Sequence, residues 1–166
     1  MEMKIEIIPP YKIAYIQHIG PYGNDNIQTM QKLKTWAKTN GLLHDNSIIL
    51  GIAHDNPETT KPENCRYDTC LVISDNDCIG NNCAYNEAAG NKVAGNENVS
   101  VGSIVGGRYS IFKIYHTAEA VQQAWLEVFP ELVKQGYTFD DTRTVLERYA
   151  VDMVNSHYCE ICVPIK

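Results

Sequence analysis

The stretch RYSIFKIYH, from Arg108 to His116, decides the fold because it repeats an earlier part of the chain. It aligns with KIAYIQHIG, which begins at Lys12, at an offset of 108 − 12 = 96 residues. Both stretches are rich in Ile and Tyr and alternate in polarity, which predicts half-buried strands. The chain is therefore predicted to be built from two similar halves.

The first half predicts a strand, a helix and two further strands. The strand covers residues 4–19 and is bent by two consecutive prolines, because proline interrupts strand pairing. The helix that follows has apolar residues at helical spacing and ends at Gly41. The last two strands are predicted at residues 47–57 and 65–74.

The second half predicts the same order of elements. A strand at residues 106–116 leads to a helix that Thr117 caps and Gly136 ends. A proline inside this helix predicts a kink or a restart. Two strands follow, at residues 143–152 and 158–166.

These elements predict one α+β domain over residues 1–166. It consists of two pseudo-repeats, 1–74 and 101–166, joined by an Asn- and Gly-rich loop at 75–100. The duplicated strand–helix–strand–strand units are expected to form an antiparallel sheet with a central ligand groove, since ligands often bind at interfaces of this kind.

The composition narrows the class of protein. Of the 166 residues, 44% are hydrophobic and 20% charged, which supports a packed core and excludes a disordered chain. The formal charge is 14 − 20 = −6 without a basic run, so direct nucleic-acid binding is not expected. No apolar run is long enough to span a membrane, and no signal peptide is evident, so a cytoplasmic protein with reduced cysteines is predicted.

The pair Cys159 and Cys162 has the CxxC spacing of metal and redox sites. The pair lies in a predicted strand, where residues three apart point to opposite faces. A shared metal is therefore not expected, and no metal or cofactor is predicted. Cys78 and Cys83, in the polar loop, are the one pair considered for an occasional disulfide.

Three acidic residues interrupt otherwise apolar strands. Glu147 shares a strand face with Tyr149, and Leu146 and Arg148 occupy the other face. Glu160 and Asp68 hold matching places in the last strands of the two halves. A buried carboxylate without a partner costs several kcal/mol, so these positions need compensation.

Three explanations remain open at this point. Each carboxylate is paired with an arginine, or it faces water, or it sits in an aromatic pocket that accepts a cationic ligand. Arg66, Arg108 and Arg148 are the candidate ion-pair partners. An aromatic face attracts a cation by roughly 0.5 to 2 kcal/mol. The aromatic residues that could form such walls are Tyr11, Tyr15, Tyr67, Tyr109, Tyr149, Trp36 and Trp125.

The ordered motifs resemble the gyrase-inhibitor-like (GyrI-like) small-molecule-binding domains, also known as AraC-type effector-binding domains of bacterial transcription activators. The motifs that carry the resemblance are IAYIQHIGPY, GIAHDNP, CRYDTCLVI, GGRYSIFKI, AWLEVFPELVKQGY, LERYAVD and CEICVPI. They span nearly the whole chain in the order of the family.

The resemblance implies a duplicated fold whose groove accepts hydrophobic, often cationic, molecules around a buried glutamate and aromatic rings. The Glu-x-Tyr motif of the family matches Glu147 and Tyr149, its last glutamate matches Glu160, and its helical aromatic matches Trp125. Pattern and resemblance together give the predicted ligand-binding residues Glu147, Tyr149, Glu160, Trp125, Tyr67, Asp68, Tyr109 and Trp36.

The leading functional prediction is a stand-alone effector-binding protein that sequesters or senses a hydrophobic, cationic drug or toxin, without binding DNA itself. The first alternative is a hydrolase of cyclopropane-type genotoxic compounds that would use Glu147, Tyr149 or Glu160. The second is a protein that binds DNA gyrase or a separate regulator. The sequence leaves these three functions open.

Overall fold

The computed structural model describes residues 1–74 and 98–166. The strands of this part of the chain are β1 (Met3–Ile8), β2 (Tyr11–Ile19), β3 (Ile48–Ala53), β4 (Arg66–Ile73), β5 (Ser100–Ile104), β6 (Gly107–Tyr115), β7 (Leu146–Ala150) and β8 (Tyr158–Pro164). The helices are α1 (Asn24–Thr39), α2 (Ala118–Lys134) and the short α3 (Val151–Asn155), with a 3₁₀ turn at Pro62–Asn64. The fold is α+β with an antiparallel sheet, as the sequence predicts.

The strands form one antiparallel sheet in the order β1-β6-β8-β7-β3-β4-β2-β5. The strands at the two ends of this order, β1 and β5, continue along the chain into β2 and β6. The register also continues, because Ile8 pairs with Gly107 and Tyr11 pairs with Ile104. The sheet therefore curls into a half-barrel.

The curled sheet has two differently packed faces. The inner face holds a core to which nearly every strand contributes, with Leu50, Ile111, Leu146 and Cys162 among its most buried members. On the outer face, which we call the helical face, α1 packs against β2 and β4, and α2 packs against β6 and β8. The sequence predicts this arrangement through the apolar stripe of each helix.

Helix boundaries follow the predicted signals. The Thr117 hydroxyl accepts a hydrogen bond from the Ala120 amide at 3.1 Å and caps α2. Gly41 and Gly136 lie just beyond α1 and α2 with φ of 68° and 83°, a conformation that glycine adopts without a steric penalty.

The predicted restart at Pro130 is wrong, because α2 runs through this residue without interruption. Proline leaves the carbonyl four residues earlier without its helical donor. That residue is Leu126, which is exposed, so water can hydrogen-bond its carbonyl.

The sequence pattern did not predict two elements, β5 and α3. Strand β5 is short, contains Gly102 and directly follows the Asn- and Gly-rich stretch, so its composition resembles a loop. The strand predicted at 143–152 covers only Leu146–Ala150; the Val151 amide still donates to the Ser47 carbonyl opposite it, which extends the pairing with β3 by one residue, and the chain then continues as α3.

The two CxxC cysteines lie on opposite faces, as predicted. Cys159 packs beneath α2 on the helical face, and Cys162 belongs to the inner core. Cys78 and Cys83 lie outside the described residues.

A charge network on the inner face joins β1, β7 and β8. The Arg148 guanidinium donates to Glu160 at 2.6 Å and to Glu6 at 2.6 Å. Burial opposes the charge of Arg148, but the hydrogen bonds that it donates to Glu6 and Glu160, together with the negative charges around it, dominate and raise its pKa. The pKa of Glu6 is lowered, chiefly by its hydrogen bond from Arg148. Glu160 is only 2% exposed, so its charge depends on this pairing.

We expect Glu160→Gln to lower the free energy of unfolding by about 3 kcal/mol, because it leaves the buried Arg148 without its most buried counter-charge. For a chain of this size that corresponds to a loss of roughly 6–12 °C in the melting temperature, measured by calorimetry. Glu6→Gln, in the more exposed arm of the same network, should cost about 1 kcal/mol or less. Equal losses for the two variants would contradict this account of the network.

Candidate functional site

Glu147 lies at the centre of the helical face, on β7, between the strands that α1 contacts and those that α2 contacts. β7 pairs with β3, while α1 packs against β2 and β4, and α2 against β6 and β8. We call the part of the helical face above β3 and β7, between the two helices, the groove; the side chains of Trp125, Tyr67 and Tyr149 lie in it around Glu147. Glu147 forms part of its floor.

Three neutral side chains donate hydrogen bonds to the Glu147 carboxylate. The Tyr67 hydroxyl donates to Oε2 at 2.7 Å, and the Tyr149 hydroxyl donates to the same oxygen at 2.8 Å. The Trp125 indole donates from Nε1 to Oε1 at 2.8 Å. The carboxylate is thus held in one orientation by two strands and a helix.

Local structure explains how these donors converge. Tyr149 is two residues beyond Glu147 on the same strand, so both side chains point to the same face. Trp125 lies on α2 next to Ala124, which is buried against the sheet, so its indole reaches down to the floor. Tyr67 comes from β4, and its ring crosses β3 to reach Glu147.

Glu147 carries a buried charge without a cationic partner in the described part of the chain. The residue is 8% exposed, and no Lys, Arg or His nitrogen described by the structure lies within 4.0 Å of its carboxylate. Arg148 is next in sequence, but its side chain extends from the inner face, where it binds Glu160. Every recorded partner of Glu147 is therefore a neutral donor.

The tyrosines remain protonated and can act as donors. Burial, followed by the nearby Glu147 charge, raises the pKa of Tyr67 well above its ordinary value, and the same causes raise the pKa of Tyr149. The ring of His116 lies 5.4 Å from the Tyr149 ring. Burial is the main cause that lowers the pKa of His116, and the nearby Lys34 and His157 lower it further. Both causes favour the neutral imidazole.

Two of the predicted acidic residues lie on the other face of the sheet. Glu160 belongs to the Arg148 network, which matches the predicted ion-pair explanation for this carboxylate. Asp68 accepts a hydrogen bond from the Gln17 amide at 2.8 Å and contacts His54 Nε2 at 2.7 Å. That hydrogen bond raises the pKa of His54.

Asp68 lines a different space from the groove. A cavity of about 300 Å³ opens at the inner face, with Asp68, His54 and Arg143 among its lining residues. Glu147 does not line this cavity. We base the candidate site on Glu147 because three directional donors converge on it, whereas the charged groups that line the inner cavity already have partners, His54 with Asp68 and Arg143 with Asp140.

The last two predicted ligand-binding residues, Tyr109 and Trp36, pack in hydrophobic cores. Tyr109 is fully buried in the inner core, with the Arg143 guanidinium 5.0 Å from its ring. Trp36 packs in the core beneath α1 with Leu33. The structure therefore brings together Glu147, Tyr149, Trp125 and Tyr67, and it leaves Asp68, Glu160, Tyr109 and Trp36 outside this group.

Two further residues at the site were not identified from the sequence. His116 closes one side of Tyr149, and Gly51 is the cross-strand partner of Glu147. An isolated glycine inside a strand indicates a close approach by another group, so the sequence could have identified Gly51 as a site residue. Nothing in the sequence distinguishes His116, a lone histidine at the end of a strand.

The part of the chain that the structure describes offers neither a metal site nor a membrane-spanning helix. The described residues contain no group of three or more His, Cys, Asp or Glu side chains that could hold a metal ion. None of the described helices is long and apolar enough to cross a membrane.

Two curated proteins of similar sequence support a common origin. The chain is 36% identical over 167 residues to the SPbeta prophage-derived regulator YosT of Bacillus subtilis (strain 168), and the match covers 100% of both chains. It is 23% identical over 137 residues to DNA gyrase inhibitor 2 of Dickeya dadantii (strain 3937), covering 82% of this chain and 78% of that protein.

Solved structures show the same fold at low sequence identity. The C-terminal domain of EcmrR matches with a TM-score of 0.71 and 16% identity, covering 99% of this chain and 97% of that domain. The GyrI-like small molecule binding domain model matches residues 1–166. The chain therefore belongs to the GyrI-like small molecule binding domain family.

Proposed function

We propose that this protein binds hydrophobic small molecules that carry a positive charge, in the groove above Glu147, as an effector-binding or sequestering protein. One observation carries the proposal. A carboxylate with 8% exposure is oriented by three neutral donors, and the described residues supply no cation to it.

The energetics favour a cationic occupant. Removing a carboxylate from water costs several kcal/mol, and neutral hydrogen bonds recover part of that cost. A bound cation would recover more, because Coulomb attraction is strong where water is excluded. The rings of Trp125, Tyr149 and Tyr67 would add roughly 0.5 to 2 kcal/mol each if the cation lies over their faces.

The exposure of the donors indicates how a ligand would enter. Trp125 and Tyr149 are half-buried, whereas Tyr67 is buried against the sheet. A ligand therefore approaches from the side of Trp125 and displaces its indole before it reaches Glu147. The net charge of −6 favours the approach of cations to the surface.

A hydrolase remains the second candidate, and one observation favours it. Glu147 Oε1 accepts a hydrogen bond from Trp125 alone among the described residues, so this oxygen retains a lone pair that could orient a water molecule. Such an enzyme would use Glu147 with Tyr149, because Glu160 lies on the inner face in an ion pair. Turnover of a reactive cyclopropane compound, lost in Glu147→Gln, would favour this function over simple binding.

We also propose a protein partner, on the basis of the names of relatives. The name of the Dickeya dadantii relative makes DNA gyrase a candidate partner, and the name of the Bacillus subtilis relative makes a role in regulation a candidate. Gyrase capture that survives Glu147→Gln would place that interaction outside the groove.

The binding proposal predicts that tetraphenylphosphonium binds the wild-type protein and that Glu147→Gln weakens this binding at least about tenfold, or about 1.4 kcal/mol. The loss follows from removing the charge while the side chain keeps its shape. Isothermal titration calorimetry measures both affinities. Triphenylphosphine oxide, a neutral molecule with similar rings, should bind both proteins equally.

Glu127→Gln is the matched control, since Glu127 is an exposed carboxylate on the same helix as Trp125. It removes the same charge and should leave tetraphenylphosphonium affinity within about twofold. Equal losses in the Glu127 and Glu147 variants would reduce the effect to net charge and contradict a specific counter-ion.

The proposal also predicts that Glu147→Gln stabilises the unliganded protein by about 1 kcal/mol, seen as a rise of roughly 2–4 °C in the melting temperature. The substitution removes a buried charge without a counter-ion and keeps an acceptor oxygen for Tyr67 and Tyr149; the amide nitrogen then faces the indole of Trp125, which is half-buried and can turn to water. Differential scanning calorimetry without ligand checks it. A fall of several degrees would show that the carboxylate serves the fold rather than a ligand.

A further inference from the structure

We propose that Gly51 is the positioning residue of the groove: the space left by its missing side chain seats the Tyr67 hydroxyl against Glu147. The effect on ligand affinity rests on the function proposed above. The effect on Tyr67 does not depend on it.

The strand register places Gly51 between the two residues that it brings together. In the pairing of β3 with β7, Gly51 lies directly opposite Glu147. In the pairing of β3 with β4, Tyr67 lies opposite Ala53, so Gly51 is its diagonal neighbour on the same face. The Tyr67 ring therefore passes over Gly51 on its way to Glu147.

The space above Gly51 is already filled by the tyrosine. A Cβ atom built on Gly51 would lie 1.9 Å from the Tyr67 hydroxyl oxygen, 2.7 Å from Cζ and 3.0 Å from Glu147 Oε2. Contacts below 3.0 Å do not occur between real atoms of this kind, so any side chain at this position expels the Tyr67 hydroxyl. The 2.7 Å hydrogen bond to Glu147 could not survive that displacement.

This hydrogen bond decides which carboxylate oxygen a ligand meets. Oε2 already accepts from both Tyr67 and Tyr149, whereas Oε1 accepts from Trp125. With Tyr67 seated, Oε2 has no lone pair left in the carboxylate plane, and the ligand is directed to Oε1 beneath the indole. Without a side chain of its own, Gly51 fixes the orientation of the charge.

We test this with Gly51→Ala in protein labelled with ¹³C at tyrosine Cζ. The Tyr67 resonance is identified by its absence in Tyr67→Phe. In the wild-type protein its pKa should lie well above the ordinary value, because burial and Glu147 raise the pKa of this phenol. In Gly51→Ala the expelled phenol should titrate near the ordinary value of 10.0.

Tetraphenylphosphonium affinity provides the second measurement. Gly51→Ala should lower it at least about tenfold. The double variant Gly51→Ala/Tyr67→Leu should bind within about twofold of Tyr67→Leu alone, because without the ring the added methyl has its nearest neighbour at Glu147 Oε2, 3.0 Å away, and needs only a small shift there. Gly102→Ala is the matched control, since its Cβ would lie 3.2 Å from the Tyr15 ring, away from the groove, and should leave both measurements unchanged.

Each result is decisive. A Tyr67 resonance and an affinity unchanged in Gly51→Ala would overturn the proposal. If Gly51→Ala does not fold, recovery of folding in the double variant supports the steric account, and a double variant that stays unfolded contradicts it. If the wild-type protein does not bind tetraphenylphosphonium, the proposed function fails while the tyrosine titration still decides the role of Gly51.

Discussion

The binding site depends on a carboxylate that is buried among aromatic rings and satisfied by neutral donors. Water is largely excluded from Glu147, and Tyr67, Tyr149 and Trp125 donate hydrogen bonds to it in place of water. These donors come from β4, β7 and α2. The carboxylate therefore gathers donors from distant parts of the chain at the point where β3 and β7 meet.

Buried charges are compensated in different ways on the two faces of the sheet. Adjacent residues of a strand point to opposite sides, so Glu147 and its neighbour Arg148 never share an environment. On the inner face, Arg148 meets Glu160 and Glu6, and all three charges are compensated. On the helical face, Glu147 has hydrogen bonds but no described counter-ion. This asymmetry distinguishes a charge that holds the fold together from a charge that is available to a ligand.

The sequence predicted the framework because the framework follows from simple periodicities. The alternation in LERYA correctly separates Glu147 and Tyr149 from Leu146 and Arg148, and the spacing of Cys159 and Cys162 places them on opposite faces. The Thr117 cap of α2 and the terminal glycines also behave as expected. Strand β5 was missed because its pairing with β2 is set by tertiary context, and its own composition resembles a loop.

The site was harder to predict, for a physical reason. Alternation shows which residues share a face of one strand, but not which faces meet after the sheet curls. Asp68 and Glu160 hold matching places in the two halves, yet both point to the inner face, away from Glu147. The register makes Gly51 the direct cross-strand partner of Glu147. That contact becomes visible only once the pairing of β3 with β7 is known. The division into pseudo-repeats at 1–74 and 101–166 stays a prediction.

A crystal structure of the protein with bound tetraphenylphosphonium tests the central claim most directly. The account predicts the phosphonium centre in the groove, with Trp125 displaced and the cation within about 6 Å of the Tyr149 or Trp125 ring and beside Glu147 Oε1. A cation bound instead in the inner cavity beside Asp68, with the three hydrogen bonds of Glu147 intact, would contradict it.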